Sequence, residues 1–280
     1  MIDFVIENLL LLPFLFVTYL VLETIEVKAG GALGKFLERA RSIGPLVGGA
    51  VGVVPQCGFS AAAASLYSGG IITLGTLLAV FLSTSDELVP VLLNAKGVGV
   101  AVVFKIVAIK VVAAIIVGFI VNAIVWAVRG SINSEHHIKE LCEHSHCHCG
   151  KHRGVVIPAL IHTAEIFLFI LIVSGVVHLA THHFGTHWMY TLQLDHPFTG
   201  ALIGAAVGLI PNCASSVACA QMYANGAMGA GALMASSFAG SGVGIIVLFR
   251  GNRNLAVNLG ILLAVYALGV ILGWSTSYLL

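Results

Sequence analysis

Eight apolar segments, at about 5–27, 44–66, 71–94, 98–128, 155–181, 198–222, 225–249 and 254–279, take up most of this 280-residue chain. Segments of this length match a hydrocarbon core of roughly 30 Å. In lipid a backbone must satisfy its own N–H and C=O groups, and long helices do so. The expected fold is therefore an all-α, polytopic integral membrane protein. Composition agrees, with 59% hydrophobic and 9% charged residues, and 32 glycines of the kind that closely packed membrane helices use. The first segment carries Asp3 and Glu7 where a cleavable signal would carry Lys or Arg, so it is expected to remain as a span. A net charge of +1 leaves no basic footprint for nucleic acid. Six scattered cysteines are too few for a disulfide scaffold, which leaves free thiols or metal ligands.

Two of the segments are broken near their middles, by Pro55 in "VVPQCGFS" and Pro211 in "LIPNCASS". These breaks belong to a repeat. Residues 44–93 align without gaps on 200–249 at an offset of 156, with 19 of 50 positions identical. The matches include Pro55/Pro211, Cys57/Cys213, Ser60/Ser216, Tyr67/Tyr223, Gly70/Gly226 and Ser85/Ser241. The organisation that follows is a first transmembrane repeat at 1–128, a polar stretch at 129–153 and a second repeat at 154–280. Paired interrupted helices in an internal repeat are the pattern of secondary transporters, whose sites form at the repeat interface.

Charge fixes the orientation. If 44–66 and 198–222 are re-entrant hairpins, each half crosses three times and the second half is inverted relative to the first. Lys28, Lys35, Arg39, Arg41, Arg129, Lys139, Lys151, Arg153, Arg250 and Arg253 then all face the cytoplasm, and only Lys96 is misplaced. Full crossings by both segments would instead put the 129–153 loop and its four basic residues outside. The inverted arrangement is the expectation, in a cell's inner membrane.

Each break offers ligands. Pro55 has no N–H, so the carbonyl of Val51 loses its helical partner, and Pro211 does the same to Val207. The distance from Gly44 to the break, about 11 residues at 1.5 Å each, is roughly 16 Å and places the tip near the midplane. Gln56 and Cys57 from one repeat, and Asn212 and Cys213 from the other, are candidate substrate ligands there. The competing reading makes each proline a packed kink and each cysteine a small buried hydrophobe. A second candidate lies in "FLSTSDELVP" (81–90), where Asp86 and Glu87 sit inside an apolar stretch, a costly and usually functional placement. Ser83 and Thr84 stand three residues before these acids, as in an N-capping box, which predicts another interrupted helix resuming at Asp86. A capped helix near the outer surface is the alternative. The equivalent "FAGSGVG" (238–244) keeps Ser241 but has Gly242 in place of Asp86, so the formal negative charge comes from the first repeat alone. Ser83, Ser85, Asp86, Glu87 and Ser241 join the candidate site.

Other ionisable groups are secondary. His162 and Glu165 share one helix face, as do Glu23 and Glu26, and a His with a carboxylate can bind metal or relay protons. Lys105 and Lys110 lie within a span and suit snorkelling or pairing with an acid. In the polar stretch, Cys142, His144, His146, Cys147, His148, Cys149 and His152 are ligand types for zinc, copper and similar ions. Their spacing fits no structural zinc module. A cytoplasmic metal-capturing loop is the reading, against a solvated linker with incidental affinity. The 178–188 stretch carries four more histidines on the outer side.

The segments "GPLVGGAVGVVPQCGFSAAAASLY", "ITLGTLLAVFLSTSDE", "HTAEIFLFI" and "GLIPNCASSV", together with the Cys/His loop, resemble the ten-helix heavy-metal exporters. Members of that family are variously described as arsenic efflux proteins or manganese transporters. The resemblance spans nearly the whole chain and implies export of a metal or metalloid. Six crossings and four hairpin arms together make ten helices.

The function expected is secondary transport, not catalysis: export of a divalent transition metal such as manganese or zinc, or of an arsenic species. Without a P-loop, coupling falls to a proton or ion gradient. The thiols favour a soft ion, whereas Asp86, Glu87, Asn212 and backbone oxygens suit manganese. No tightly bound cofactor is expected beyond the transported or loop-bound metal. The partners are that ion, the bilayer, the coupling ion and, as one option, a second copy in a homodimer. The alternative is a permease for a sulfur-containing or other small anion, since half-helix N-termini attract anions. An intramembrane metalloenzyme is disfavoured by the absence of H-E-x-x-H spacing.

Overall fold

The computed structural model describes residues 12, 13, 16, 17, 20, 43–53, 57–84, 88–95, 98–129, 156, 157, 159–161, 163, 164, 167, 168, 172, 197–211, 213–252 and 254–278. Among these, every regular element is an α-helix. The first half contributes α1 (43–51), α2 (Cys57–Ser68), α3 (Leu74–Ser83), α4 (Leu88–Asn94) and α5 (Val100–Arg129). The second contributes α6 (Pro197–Gly208), α7 (Cys213–Ala224), α8 (Ala230–Ala239), α9 (Gly244–Gly251) and α10 (Leu255–Thr276). Leu74–Asn94, Val100–Val128, Ala230–Gly251 and Leu255–Thr276 are long and apolar enough to cross a membrane. The expected spans at 5–27 and 155–181 lie largely outside the described residues, and so does the 129–153 loop.

The helices recur at the sequence offset. α2 and α7, and likewise α3 and α8, begin and end at positions 156 apart. Their terminating turns recur too. Gly70 (φ 71°) and Gly226 (φ 74°) both adopt the left-handed conformation that glycine reaches without strain. In each turn the next N–H reaches back five residues, from Ile71 to Leu66 at 2.9 Å and from Ala227 to Met222 at 2.8 Å. The glycine N–H bonds Tyr67 at 2.9 Å or Tyr223 at 3.0 Å. This double bond closes a helix C-terminus, and it explains why these glycines are matched.

In each half the helices on either side of the proline pack against one central helix. Along α1, Gly44 and Gly48 face Thr76 and Gly52 faces Ser83, so α1 runs the length of α3. α2 then returns to Thr73, the N-cap of α3, whose Oγ1 accepts the Thr76 N–H at 3.2 Å. In the second half, Gly204 and Gly208 face the carbonyls of Ala232 and Ser236, and α7 returns towards Gly229 at the start of α8. Glycines four residues apart permit this backbone approach. The tips differ from expectation at one carbonyl: α6 stops at Gly208, and the Ile210 N–H takes the Val207 oxygen at 3.1 Å, so that oxygen is not left free.

Packing between the halves is reciprocal. α3 and α8 meet at the centre, each buried over nearly its whole length. α2 packs on α9, and its counterpart α7 packs on the counterpart of α9, α4. α5 and α10 flank this core with apolar outer faces, exposing Phe104, Ile116, Ile120, Leu259 and Leu263. Towards the core, the same two helices bury Ile106, Lys110, Ala114, Ile261 and Val265.

A methyl group at Gly208 would run into the Ser236 carbonyl, whereas one at Gly260 would meet nothing within 4 Å. Gly208→Ala is therefore expected to cost about 1–3 kcal/mol, the usual penalty of overpacking. Gly260→Ala, in the helix interior, should stabilise by up to about 1 kcal/mol. Melting of the two variants in detergent checks the contrast.

Candidate functional site at the crossing of the interrupted helices

Both central helices stop in the middle of the molecule. α3 ends at Ser83, and Thr84 caps it: its N–H and Oγ1 both bond the Val80 carbonyl, at 2.9 and 2.7 Å. The Ser83 hydroxyl donates to the same carbonyl at 3.1 Å. α8 ends at Ala239 with Gly240 as its cap, and the chain stays non-helical until α9 starts at Gly244. Gly242 takes φ 53°, a conformation that suits glycine where the first repeat has Asp86. The Ser241 N–H turns to the Ala239 carbonyl at 2.9 Å instead of the helical partner, Ser237. The Ser237 carbonyl is thereby released from the helix.

Lys110 of α5 takes up these freed oxygens. Its side chain is fully buried (0% exposed). Nζ donates to the Ser237 carbonyl at 2.9 Å, to the Ser237 hydroxyl at 2.6 Å and to the Thr84 carbonyl. It also lies 6.0 Å from the centroid of the Phe238 ring, the outer limit of a cation–π contact. An ammonium has three N–H donors and no acceptor, and here three oxygens from both halves receive them. Each helix C-terminus carries roughly half a negative charge, so a cation is the natural group to join two of them.

Beside this junction lies a cavity of about 10 Å³, lined by Thr84 and Leu88 from the first half. The second half supplies Gly208, Ser215, Ser216, Cys219, Ser236, Ser237 and Gly240. That space suits one water-sized particle. Five of these nine residues carry a hydroxyl and one a thiol; Leu88, Gly208 and Gly240 complete the wall. The Cys219 thiol hydrogen-bonds Ser236, whose own hydroxyl donates to the Leu233 carbonyl at 2.8 Å.

Of the residues expected from sequence, Ser83 and Ser241 are described, and both are buried at the two interruptions. Cys57 and Cys213 open α2 and α7, but their side chains lie outside the described residues. Gln56, Ser85, Asp86, Glu87, Asn212, Glu23, His162, Glu165 and the loop ligands from Cys142 to His152 lie outside them as well. Among the described residues, no three His, Cys, Asp or Glu side chains gather as a metal site. Sequence reasoning assigned no role to Lys110, and it missed Cys219 and the Ser236–Ser237 pair. The signal for Lys110 was present: it shares the buried stripe of Val103, Ile106, Ala114 and Val117. The serine pair has no such signal, because its counterparts in the first repeat are Val80 and Phe81.

Lys110→Met removes a charged donor from buried carbonyls, and hydrogen bonds of that kind contribute about 1.5–3 kcal/mol each. The variant is expected to lose most of its folded yield. Lys105→Met, on the exposed side of the same helix, should fold like the parent. Size-exclusion profiles of the solubilised proteins separate the two outcomes.

No curated protein and no solved structure matches this chain. A family described as "Putative, 10TM heavy-metal exporter" matches residues 10–199. That range includes α1 to α5 and the polar stretch between the repeats, and it ends within the first turn of α6, before Pro211. With helices long and apolar enough to span a bilayer, the chain is a multi-pass membrane protein that belongs to this heavy-metal exporter family.

Proposed function

We propose that the protein is a secondary transporter that exports a heavy-metal ion from the cytoplasm, through a midplane site at the interface of two inverted repeats. The observation that carries this reading is the reciprocal packing of matched, interrupted helices around a buried polar centre. Inversion is supported by which helix ends meet. Ser68, at the end of α2, lies against Gly251, at the end of α9, while Ala95 and Asn225 border one crevice. Re-entrant hairpins bring each of these pairs to one membrane face, whereas full crossings would put their members on opposite faces. On this topology the Ser68–Gly251 end is cytoplasmic and the Ala95–Asn225 end external, in the inner membrane.

Lys110 sharpens the roles of the acids. A divalent ion beside a buried ammonium is repelled by several kcal/mol at a separation of about 4 Å and an effective dielectric of about 20. Asp86 and Glu87 are the groups that offset this repulsion, with Gln56, Cys57, Ser83, Ser85, Asn212, Cys213 and Ser241 completing the ligand set. Cys142, His144, His146, Cys147, His148, Cys149 and His152 collect metal from the cytoplasm, and Glu23, His162 and Glu165 serve the coupling proton. Manganese, zinc or an arsenic species is the cargo. A second reading, a permease for a small anion, is favoured by Lys110 and the hydroxyl donors at the centre.

A deletion strain challenged metal by metal should accumulate one ion, and that ion names the cargo. Unchanged content for every metal would favour the anion permease. In proteoliposomes, Asp86→Asn is expected to lower flux of that ion by roughly tenfold or more, since losing a charge-assisted contact costs about 1.5–3 kcal/mol and about 1.4 kcal/mol is tenfold. Reporter tags at residue 140 and at the C-terminus should lie on opposite faces; both on one face would sink the inverted arrangement.

A further inference from the structure

α1 and α6 are counterparts, and so are α5 and α10, yet the two pairs meet differently. In the first half α1 lies directly on α5: a Cβ placed on Gly49 would come 2.5 Å from Cγ1 of Ile115. The matching residues of the second half are Ala205 and Ile271. Ala205 carries the methyl group that this approach excludes, and Ile271 is 56% exposed instead of seated on a glycine. Beside this looser contact runs a groove of about 320 Å³. Among the described residues it is lined by Leu202, Ile203, Ala206, Val207 and Ile210 of α6 and the turn after it, and by Tyr266 of α10. Equivalent helix pairs are thus closed in one half and open in the other.

The lining decides what the groove can hold. Its one polar side chain is Tyr266, whose hydroxyl already donates to the Leu202 carbonyl at 3.3 Å. An apolar cavity stays dry, and an unfilled one forfeits the dispersion contacts of its lining. The occupant is therefore apolar. It enters from the side, because Ala206 in the lining is exposed and α10 beside it exposes Leu263, Ala267 and Ile271. That apolar outer surface of α10 is the one that meets lipid, and the groove is continuous with it.

Depth fits as well. Leu202 to Ile210 covers eight residues, about 12 Å at 1.5 Å each, against roughly 15 Å for the hydrocarbon half of a bilayer. One turn nearer the start of α6, Phe198 meets Trp274 edge-on with ring centroids 6.0 Å apart, and Trp274 meets Tyr278 at 6.4 Å. All three rings are exposed. Exposed Trp and Tyr at a helix end mark the headgroup level of a membrane. The groove begins one turn below this aromatic collar and ends beside the proline break.

We propose that the groove binds one acyl chain of a phospholipid, in the leaflet that holds Phe198 and Trp274, with the headgroup region against the aromatic collar. In a bilayer the tail gains no hydrophobic driving force, because lipid is as apolar as leucine. What retains it is contact with walls on several sides, which an open helix face such as Ile116 and Ile120 of α5 does not give. The tail also packs on a turn that shapes the centre. Ile210 lines the groove, and its carbonyl accepts the Ser215 hydroxyl at 3.3 Å, while Ser215 and Gly208 line the central cavity. A bound lipid therefore buttresses the turn between α6 and α7 from its outer side. The inference needs neither the export reading nor its orientation.

The test uses the full chain in proteoliposomes of phosphatidylcholine carrying a photoreactive diazirine midway along one acyl chain, with adducts located by peptide mass. Adducts within 202–210 should exceed those at Ile116 and Ile120 by about threefold or more, since a retained lipid differs from bulk lipid in residence time. Ala206→Phe fills the groove and should remove that excess while the α5 adducts stay as they were. Ala206→Leu, a milder filler, should fall between, and Ala206→Ser should label like the parent. Equal labelling of the groove and α5, or an excess that survives both fillers, overturns the proposal. A disulfide-linked dimer that forms on oxidising Ala206→Cys, beyond any in the parent, overturns it in favour of a second copy seated in the groove.

Discussion

One ammonium group holds the centre of this molecule together. α3 and α8 come from different halves and end facing a common point, where their unpaired carbonyls and negative dipole ends would repel each other. Lys110 sits at that point and donates to Thr84 on one side and Ser237 on the other. Buried charge is costly unless it is both neutralised and hydrogen-bonded, and the two helix ends supply those conditions. The junction therefore depends on the lysine, and the lysine can be buried only because the junction exists.

The rest of the architecture brings those two helix ends together. The glycine faces of α1 and α6 let the proline-broken segments lie directly on α3 and α8, close enough for a side chain to be excluded. The outward faces of α5 and α10 are mostly apolar, with Lys105 as a charged exception on α5, while their inward faces bury Lys110 and Asn258. Backbone symmetry is high and chemical symmetry is low. The counterpart of Lys110 is Tyr266, whose hydroxyl donates to the Leu202 carbonyl at 3.3 Å instead of reaching the centre. A repeated backbone with unequal charges gives a site with a preferred orientation and a molecule with two unequal seams.

Much of the framework could be read from residue types. Pro55 and Pro211 announced the two broken segments, and α2 and α7 each begin two residues beyond a proline. The interruption near Ser83 was expected from the acids that follow it, and α3 does end there. Gly70 and Gly226 stood out only as a matched pair, and their left-handed turns at the ends of α2 and α7, which glycine adopts without strain, explain the match. Val207 went against expectation because proline removes only one donor, and the Ile210 N–H three residues on replaced it. The hydroxyls of the cavity wall were hidden: Ser236 and Ser237 stand where the first repeat has Val80 and Phe81, and a serine in an apolar helix gives no sign of which neighbour it faces.

By itself, the sequence determined that this chain lives in a bilayer, that residues 44–93 recur at 200–249, and that helices break beside Pro55 and Pro211. Each of these follows from local chemistry: apolar length, repeated punctuation, and a ring that removes an N–H. Only the tertiary structure decided that α3 and α8 end at the same place and that Lys110 bonds to both ends. It alone also decided that equivalent helix pairs are open in one half and closed in the other. These last properties arise between residues more than a hundred positions apart, such as Lys110 and Ser237. Hydropathy and spacing describe what a helix needs, and packing alone sets which partner supplies it.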